Sequence, residues 1–261
     1  MYTSAELILL PISLLVMVGI AFLLRLLLKD KSEKLQSIPF IVITILLWAG
    51  EIAKQILDIT SEDGYSYWTI PLHFCNTYFI WFALAEFTTG KLRRHMQSIA
   101  FVMTLYLFVG FYVYPRFIIG DACEHVFLTF SDAHTFFFHH LVILYSILTI
   151  VFGRFHPTKK DLIIFPICMA GYFATAVTFA HLLDTNYFNL LESLVPLMEA
   201  IRVNAGQVVY TLFFGTAMVS LGTILLFVCL KVKAKMEKQD AEESVEPIVE
   251  MDEAEPLKTV E

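Results

Sequence analysis

The sequence predicts an all-α fold: a polytopic membrane bundle of seven transmembrane helices, N-terminus outside and C-terminus cytoplasmic. Three observations carry that expectation. Hydrophobic residues make up 57% of the 261-residue chain, with 24 phenylalanines among them, far above the apolar share of a soluble domain. Apolar runs of about 20 residues recur, each long enough at about 1.5 Å per residue to cross a hydrocarbon core. The runs lack the period-two alternation of a membrane β-barrel.

The first span, about residues 6–28, is too long for a secretory signal, and no basic segment precedes it. The second, about 38–59, carries Glu51, Lys54 and Asp58, spaced by three and four residues and so on one helix face. Each charge at mid-membrane costs about 2.5–3.5 kcal/mol, while each Ile, Leu or Val returns about 0.3–0.6 kcal/mol. That face must therefore turn into the bundle, as an internal Glu51–Lys54 pair or as the wall of a polar site.

The third span, about 70–89, opens with "PLHFCN" at 71–76. Pro71 suits a first helical turn, which puts Cys75 near a positive helix end that favours a thiolate. On a helix His73 and Cys75 point about 160° apart, and His73 groups with Asn76. The fourth span is about 96–118. On the fifth, about 134–153, Thr135, His139 and Ser146 share a face, and His140 is turned about 100° away beside Phe136. On the sixth, about 162–183, Thr178, His181 and Thr185 form a stripe, with Asp184 and Asn186 close behind. The apolar connection "NYFNLLESLVPLMEAIRVNAG" is expected to lie in the interface or fold over the bundle. The seventh span is about 207–230.

Residues 1–235 thus read as the membrane domain and 236–261 as an acidic, disordered cytoplasmic tail. From Asp240 onward the chain has nine acids and one lysine, which accounts for the net charge of −7 and leaves the membrane part near neutral. Nucleic-acid binding has no support. Membrane lipids are the expected partners, and the oligomeric state is not indicated.

Lys and Arg set the orientation. They crowd the connections after the first, third, fifth and seventh spans; the opposite connections hold only Arg116 and Arg202. With the N-terminus outside, Glu51, Lys54, Asp58, His73, Cys75, Asn76, His139, His181, Asp184 and Asn186 all fall in the outer half. Convergence of ionisable groups from four spans is a functional signal. His134 and His125 read as interfacial, and His95 and His156 as solvated. The four cysteines show no CxxC pair or zinc spacing, so no metal or cofactor is expected. Cys168 and Cys229 read as core residues. A disulfide between Cys75 and Cys123 is an alternative to a free thiol at Cys75.

"PLHFCN", "HHLVIL" at 139–144 and "TNY" at 185–187 resemble, in wording, order and spacing, the YwaF-like family, which includes transmembrane protein 164. The resemblance covers about residues 38–230. For the animal members it implies a lipid acyltransferase-like bundle in which a membrane cysteine carries the acyl group, helped by a histidine. Carried over by motif, this implies Cys75 as nucleophile and His139 as base. The family often has glycine before "TNY", where this chain has Asp184.

Two functions remain in play. One is a lipid acyltransferase or hydrolase, with a thiolate attacking an ester; Glu51 or Asp184 would orient the histidine, and Asn76 or Lys54 would stabilise the oxyanion. The other is a small-solute or proton-coupled transporter, or a receptor-like binding protein. Against transport, there is no inverted repeat and no polar exit in the inner half.

Overall fold

The structure is a computed structural model that describes residues 2–62 and 64–243. Ten α-helices follow in order: α1 (Ser4–Leu28), α2 (Glu33–Ile59), α3 (Tyr78–Phe87), α4 (Gly90–Val113), α5 (Pro115–Ile119), α6 (Ala122–His125), α7 (Phe130–Val151), α8 (Asp161–Leu182), α9 (Pro196–Ala205) and α10 (Gln207–Glu243). Among the described residues there is no strand. Six helices among the described residues are long and apolar enough to cross a membrane: α1, α2, α4, α7, α8 and the Gln207–Met236 part of α10.

Local chemistry explains the helix starts. Thr3 and Glu6 form a capping box, Glu6 N–H donating to Thr3 Oγ1 at 3.2 Å and Thr3 N–H to Glu6 Oε2 at 2.6 Å. Thr129 caps α7 by accepting the Asp132 N–H at 3.0 Å. Each satisfies donors that a helix start leaves unpaired. Gly206, at φ 89°, separates α9 from α10 in a conformation open to few other residues.

The expected third span is not one continuous helix. Residues 67–69 and 75–77 are single 3₁₀ turns, and α3 is ten residues long, about 15 Å of helix against a core of about 30 Å. The expected tail boundary falls inside α10, which runs on to Glu243; residues 244–261 lie outside the described residues.

α7 is the central helix, packed against α1, α2, α4 and α6, while α8 pairs with α10. Outward faces are apolar, with Leu15 72% and Ile163 66% exposed, as lipid contact requires. α10 seats closely because of its glycines: a Cβ on Gly222 would come within 2.2 Å of Tyr106 Oη and 2.3 Å of Phe165. Small residues allow such approach in membrane bundles.

An ionic bolt joins the helices at the end far from the N-terminus. Buried Glu86 accepts from Arg154 Nη2 at 2.8 Å, Arg93 Nη2 at 3.4 Å and Tyr145 Oη at 2.7 Å. The Arg154 guanidinium also lies 3.9 Å from the Phe40 ring centroid, an attractive cation–π contact. At the other end α9 lies against α10. Its Glu199 carboxyl is held down to about 2, first by the Arg202 hydrogen bonds and then by the Ser193 N–H.

Candidate functional site

Irregular backbone at membrane depth survives only where it is buried in protein or lines a cavity; here Thr69 and Phe74 are buried, and both line a cavity together with Trp68, His73, Cys75 and Asn76. Short turns pair part of this segment's backbone: Asn76 N–H donates to the His73 carbonyl at 2.9 Å and Thr77 N–H to the Phe74 carbonyl at 3.2 Å. Tyr172 Oη donates to the Leu72 carbonyl at 3.0 Å. Trp48 Nε1 donates to the Phe79 carbonyl at 3.0 Å, so α3 begins beside a residue about 16 Å down from the end of α2. Above this point the missing helical turns leave a cavity of about 570 Å³.

Four segments supply its polar wall. They are Lys54 and Asp58 from α2, then His73, Cys75 and Asn76 from the broken span. His134, Thr135 and His139 come from α7, and Asn186 from the segment after α8. Phe74, Phe117, Phe130, Phe138 and Phe188 give it an apolar body, the mixture typical of a small-molecule site. Among the described residues no three His, Cys, Asp or Glu side chains converge as a metal would require.

The histidines differ in what their nitrogens do. His139 Nδ1 lies 2.6 Å from the Thr135 carbonyl. A carbonyl only accepts, so Nδ1 carries the proton and Nε2 keeps its lone pair. His73 Nδ1 accepts from the Phe188 N–H at 3.4 Å, which leaves the proton on Nε2. Nε2 of His73, His134 and His139 are all buried without a hydrogen-bond partner. His140 is spent elsewhere, between the Phe136 carbonyl and Ser13 Oγ on α1, each at 2.7 Å, and is absent from the cavity lining.

The polar face of α2 holds the expected Glu51–Lys54 pair, at 3.5 Å, and also binds the segment that follows it. Glu51 is buried but does not line the cavity. Its Oε1 accepts Gln55 Nε2 at 2.8 Å and Lys54 Nζ at 3.5 Å. Gln55 Nε2 also donates to the Thr69 carbonyl at 2.7 Å, and Gln55 Oε1 accepts from Tyr65 at 2.7 Å. Asp58 Oδ2 accepts the Ser66 N–H at 2.8 Å. α2 thus pins the 65–69 segment that roofs the site. The Tyr65 phenol is raised above its ordinary value, by burial first and then by the Asp58 and Glu51 charges.

Other expectations change with the backbone. Cys75 is not in the first turn of a helix; it opens a 3₁₀ turn three residues before α3. His73 and Cys75 both line the cavity. Cys75 and Cys123 are both free thiols, so the alternative disulfide is absent. His181 and Asp184 are exposed and outside the lining. Asn186 lines the cavity, but its Oδ1 accepts the Leu191 N–H at 2.8 Å, which folds the loop after it.

Three features escaped the sequence reading. Gln55 sits four residues after Glu51, a spacing that could have flagged it. His134 lines the cavity rather than lying free in the interface, and it belongs to one face with Thr135, Phe138 and His139. Phe188 and Asn189 take positive φ, 51° and 58°, with Phe188 stacked on Phe74 at 4.9 Å. Strained backbone of this kind concentrates at functional sites, and no sequence signal announces it.

A family model described as the TMEM164 family matches residues 1–233. No curated protein and no solved structure matches the chain.

Proposed function

The chain is an integral, multi-pass membrane protein that belongs to the TMEM164 family, and from that premise we propose that it transfers acyl groups between membrane lipids through Cys75. One observation carries the reading. A free thiol, a histidine with a bare Nε2 lone pair and a histidine with an unpartnered Nε2–H line one phenylalanine-walled cavity.

In the first half-reaction His139 Nε2 takes the Cys75 proton, and the sulfur attacks the ester carbonyl of a phospholipid. The C–S bond forms, the C–O bond breaks, and His139 returns the proton to the departing glycerol oxygen. In the second, a lysolipid hydroxyl or water gives its proton to Nε2 and attacks the thioester, and the sulfur leaves and is reprotonated. His73 Nε2–H and Asn76 are the donors for the oxyanion. Glu51 holds the roof through Gln55 rather than orienting the base. We further propose that residues 67–77 with α3 make the seventh crossing. The chain then has its N-terminus outside, and the cavity opens toward the outer leaflet.

Purified protein incubated with a phospholipid labelled in its acyl chain should gain a hydroxylamine-sensitive label. Cys75→Ala should abolish it, and His139→Gln should slow it by about 10²–10⁴-fold, the range for general-base assistance. Full lipid turnover by Cys75→Ala would overturn the reading and leave the cavity as a binding site.

A further inference from the structure

A second hollow lies behind the first. It is a groove of about 210 Å³ between α2 and α7. Leu46, Leu47 and Gly50 form one side, and Ala133, Phe137 and Leu141 the other. The remaining walls, Phe130, His134 and Phe138, are also walls of the polar cavity. The two spaces stand back to back across one imidazole and two phenyl rings.

The groove exists because two of its residues are small. A Cβ on Gly50 would lie 3.3 Å from His134 Cδ2 and 3.4 Å from its Nε2, so the imidazole rests on bare backbone. Leu46 and Phe137 are 49% and 52% exposed on helices long and apolar enough to cross the membrane, so the mouth faces hydrocarbon rather than water. Its lining has one polar side chain, His134, at the boundary with the cavity.

We propose that this groove seats the hydrocarbon chain of a membrane lipid, with the ester end passing His134 and Phe138 into the cavity that holds Cys75. The seat itself follows from the groove; only the delivery of the ester to the thiol rests on the acyl-transfer reading. A slot this apolar is a poor site for water, which needs two to four polar partners. A chain already in the bilayer can slide in sideways without crossing an aqueous phase. Leaving lipid for protein brings it no hydrophobic gain, since tails are as apolar as leucine. The groove therefore selects by shape, and the polar end decides the direction in which the chain lies.

Two measurements on the full chain in lipid vesicles test this. The first uses phosphatidylcholine with a photoactivatable diazirine in mid-chain and maps the crosslinks by mass spectrometry. Crosslinks should concentrate on Leu46, Leu47 and Leu141, several-fold above the more exposed Leu15 and Ile163, and should vanish from the groove in Ala133→Phe. Even labelling of all lipid-facing residues would overturn the proposal, whether or not Cys75 is ever acylated. The second compares acylation of Cys75 by a long-chain phospholipid and by p-nitrophenyl acetate. Ala133→Phe should lower the first several-fold, because the phenyl ring fills the slot that holds the chain, and leave the second largely unchanged. Equal loss with both esters would overturn delivery through the groove. Crosslinks confined to the groove in a protein that neither ester acylates would support the seat and sink the transferase reading instead.

Discussion

His139 and His140 are adjacent, chemically identical and both buried, yet only the first faces the cavity. The difference comes from the 100° that separates neighbours on a helix, and that much is readable from the sequence by counting. What counting cannot give is the proton. The Thr135 carbonyl fixes it on His139 Nδ1, and a helix's own carbonyl four residues back becomes a partner only once the side-chain rotamer is known. Glu51 teaches the same lesson. Its spacing to Lys54 is legible, but its closer partner is Gln55, at 2.8 Å against 3.5 Å, an uncharged residue that a search for charges passes over. Gln55→Leu should therefore destabilise the protein by about 1–3 kcal/mol, since it leaves Glu51 and the Thr69 carbonyl only their longer Lys54 contacts, at 3.5 and 3.3 Å. Lys54→Met, with Lys54 partly exposed, should cost less. Thermal melts of both variants decide, and the opposite order would show that the lysine, not the glutamine, holds the carboxylate.

At the scale of elements, the long apolar helices were legible because length and hydropathy leave few alternatives. The broken span was not. Pro71 suits the first turn of a helix and an irregular turn equally well, and the apolar residues around it look the same whether they meet lipid or a cavity wall. The break shows only through partners distant in sequence, such as Tyr172 on the Leu72 carbonyl and Phe188 N–H on His73. The turn after α8 is a milder case. Asp184 has φ 46°, the left-handed region where glycine is at ease and aspartate is tolerated, which accounts for the glycine expected at that place. Asp184→Gly should be neutral or slightly stabilising in thermal melts. Asp184→Val should cost about 1–2 kcal/mol, the penalty of a left-handed backbone for a residue with a branched Cβ. Equal stability of the two variants would mean that the turn relaxes freely.

At the scale of the whole molecule, the two ends of the bundle are unlike. One is closed by the Glu86 bolt, and the other holds the cavity. The Lys and Arg distribution predicts that single cysteines at Arg94 and Lys159, in a cysteine-free background, are shielded in sealed cells from an impermeant thiol reagent. A cysteine at Glu62 should be labelled. Labelling at Arg94 would turn the molecule over and place the cavity on the cytoplasmic side. The strained wall of that cavity hangs from two phenols. Tyr187 donates to the Tyr67 carbonyl and Tyr210 to the Asn189 carbonyl, each lacing a loop to a partner 21 or more residues away. The long helices depend on such stitches less, because lipid and the packed interior also hold them. Warming should thus undo the molecule in sequence: the laced pouch slackens first while the membrane scaffold still stands. Lipid handling would then have a lower ceiling of temperature than the fold that houses it.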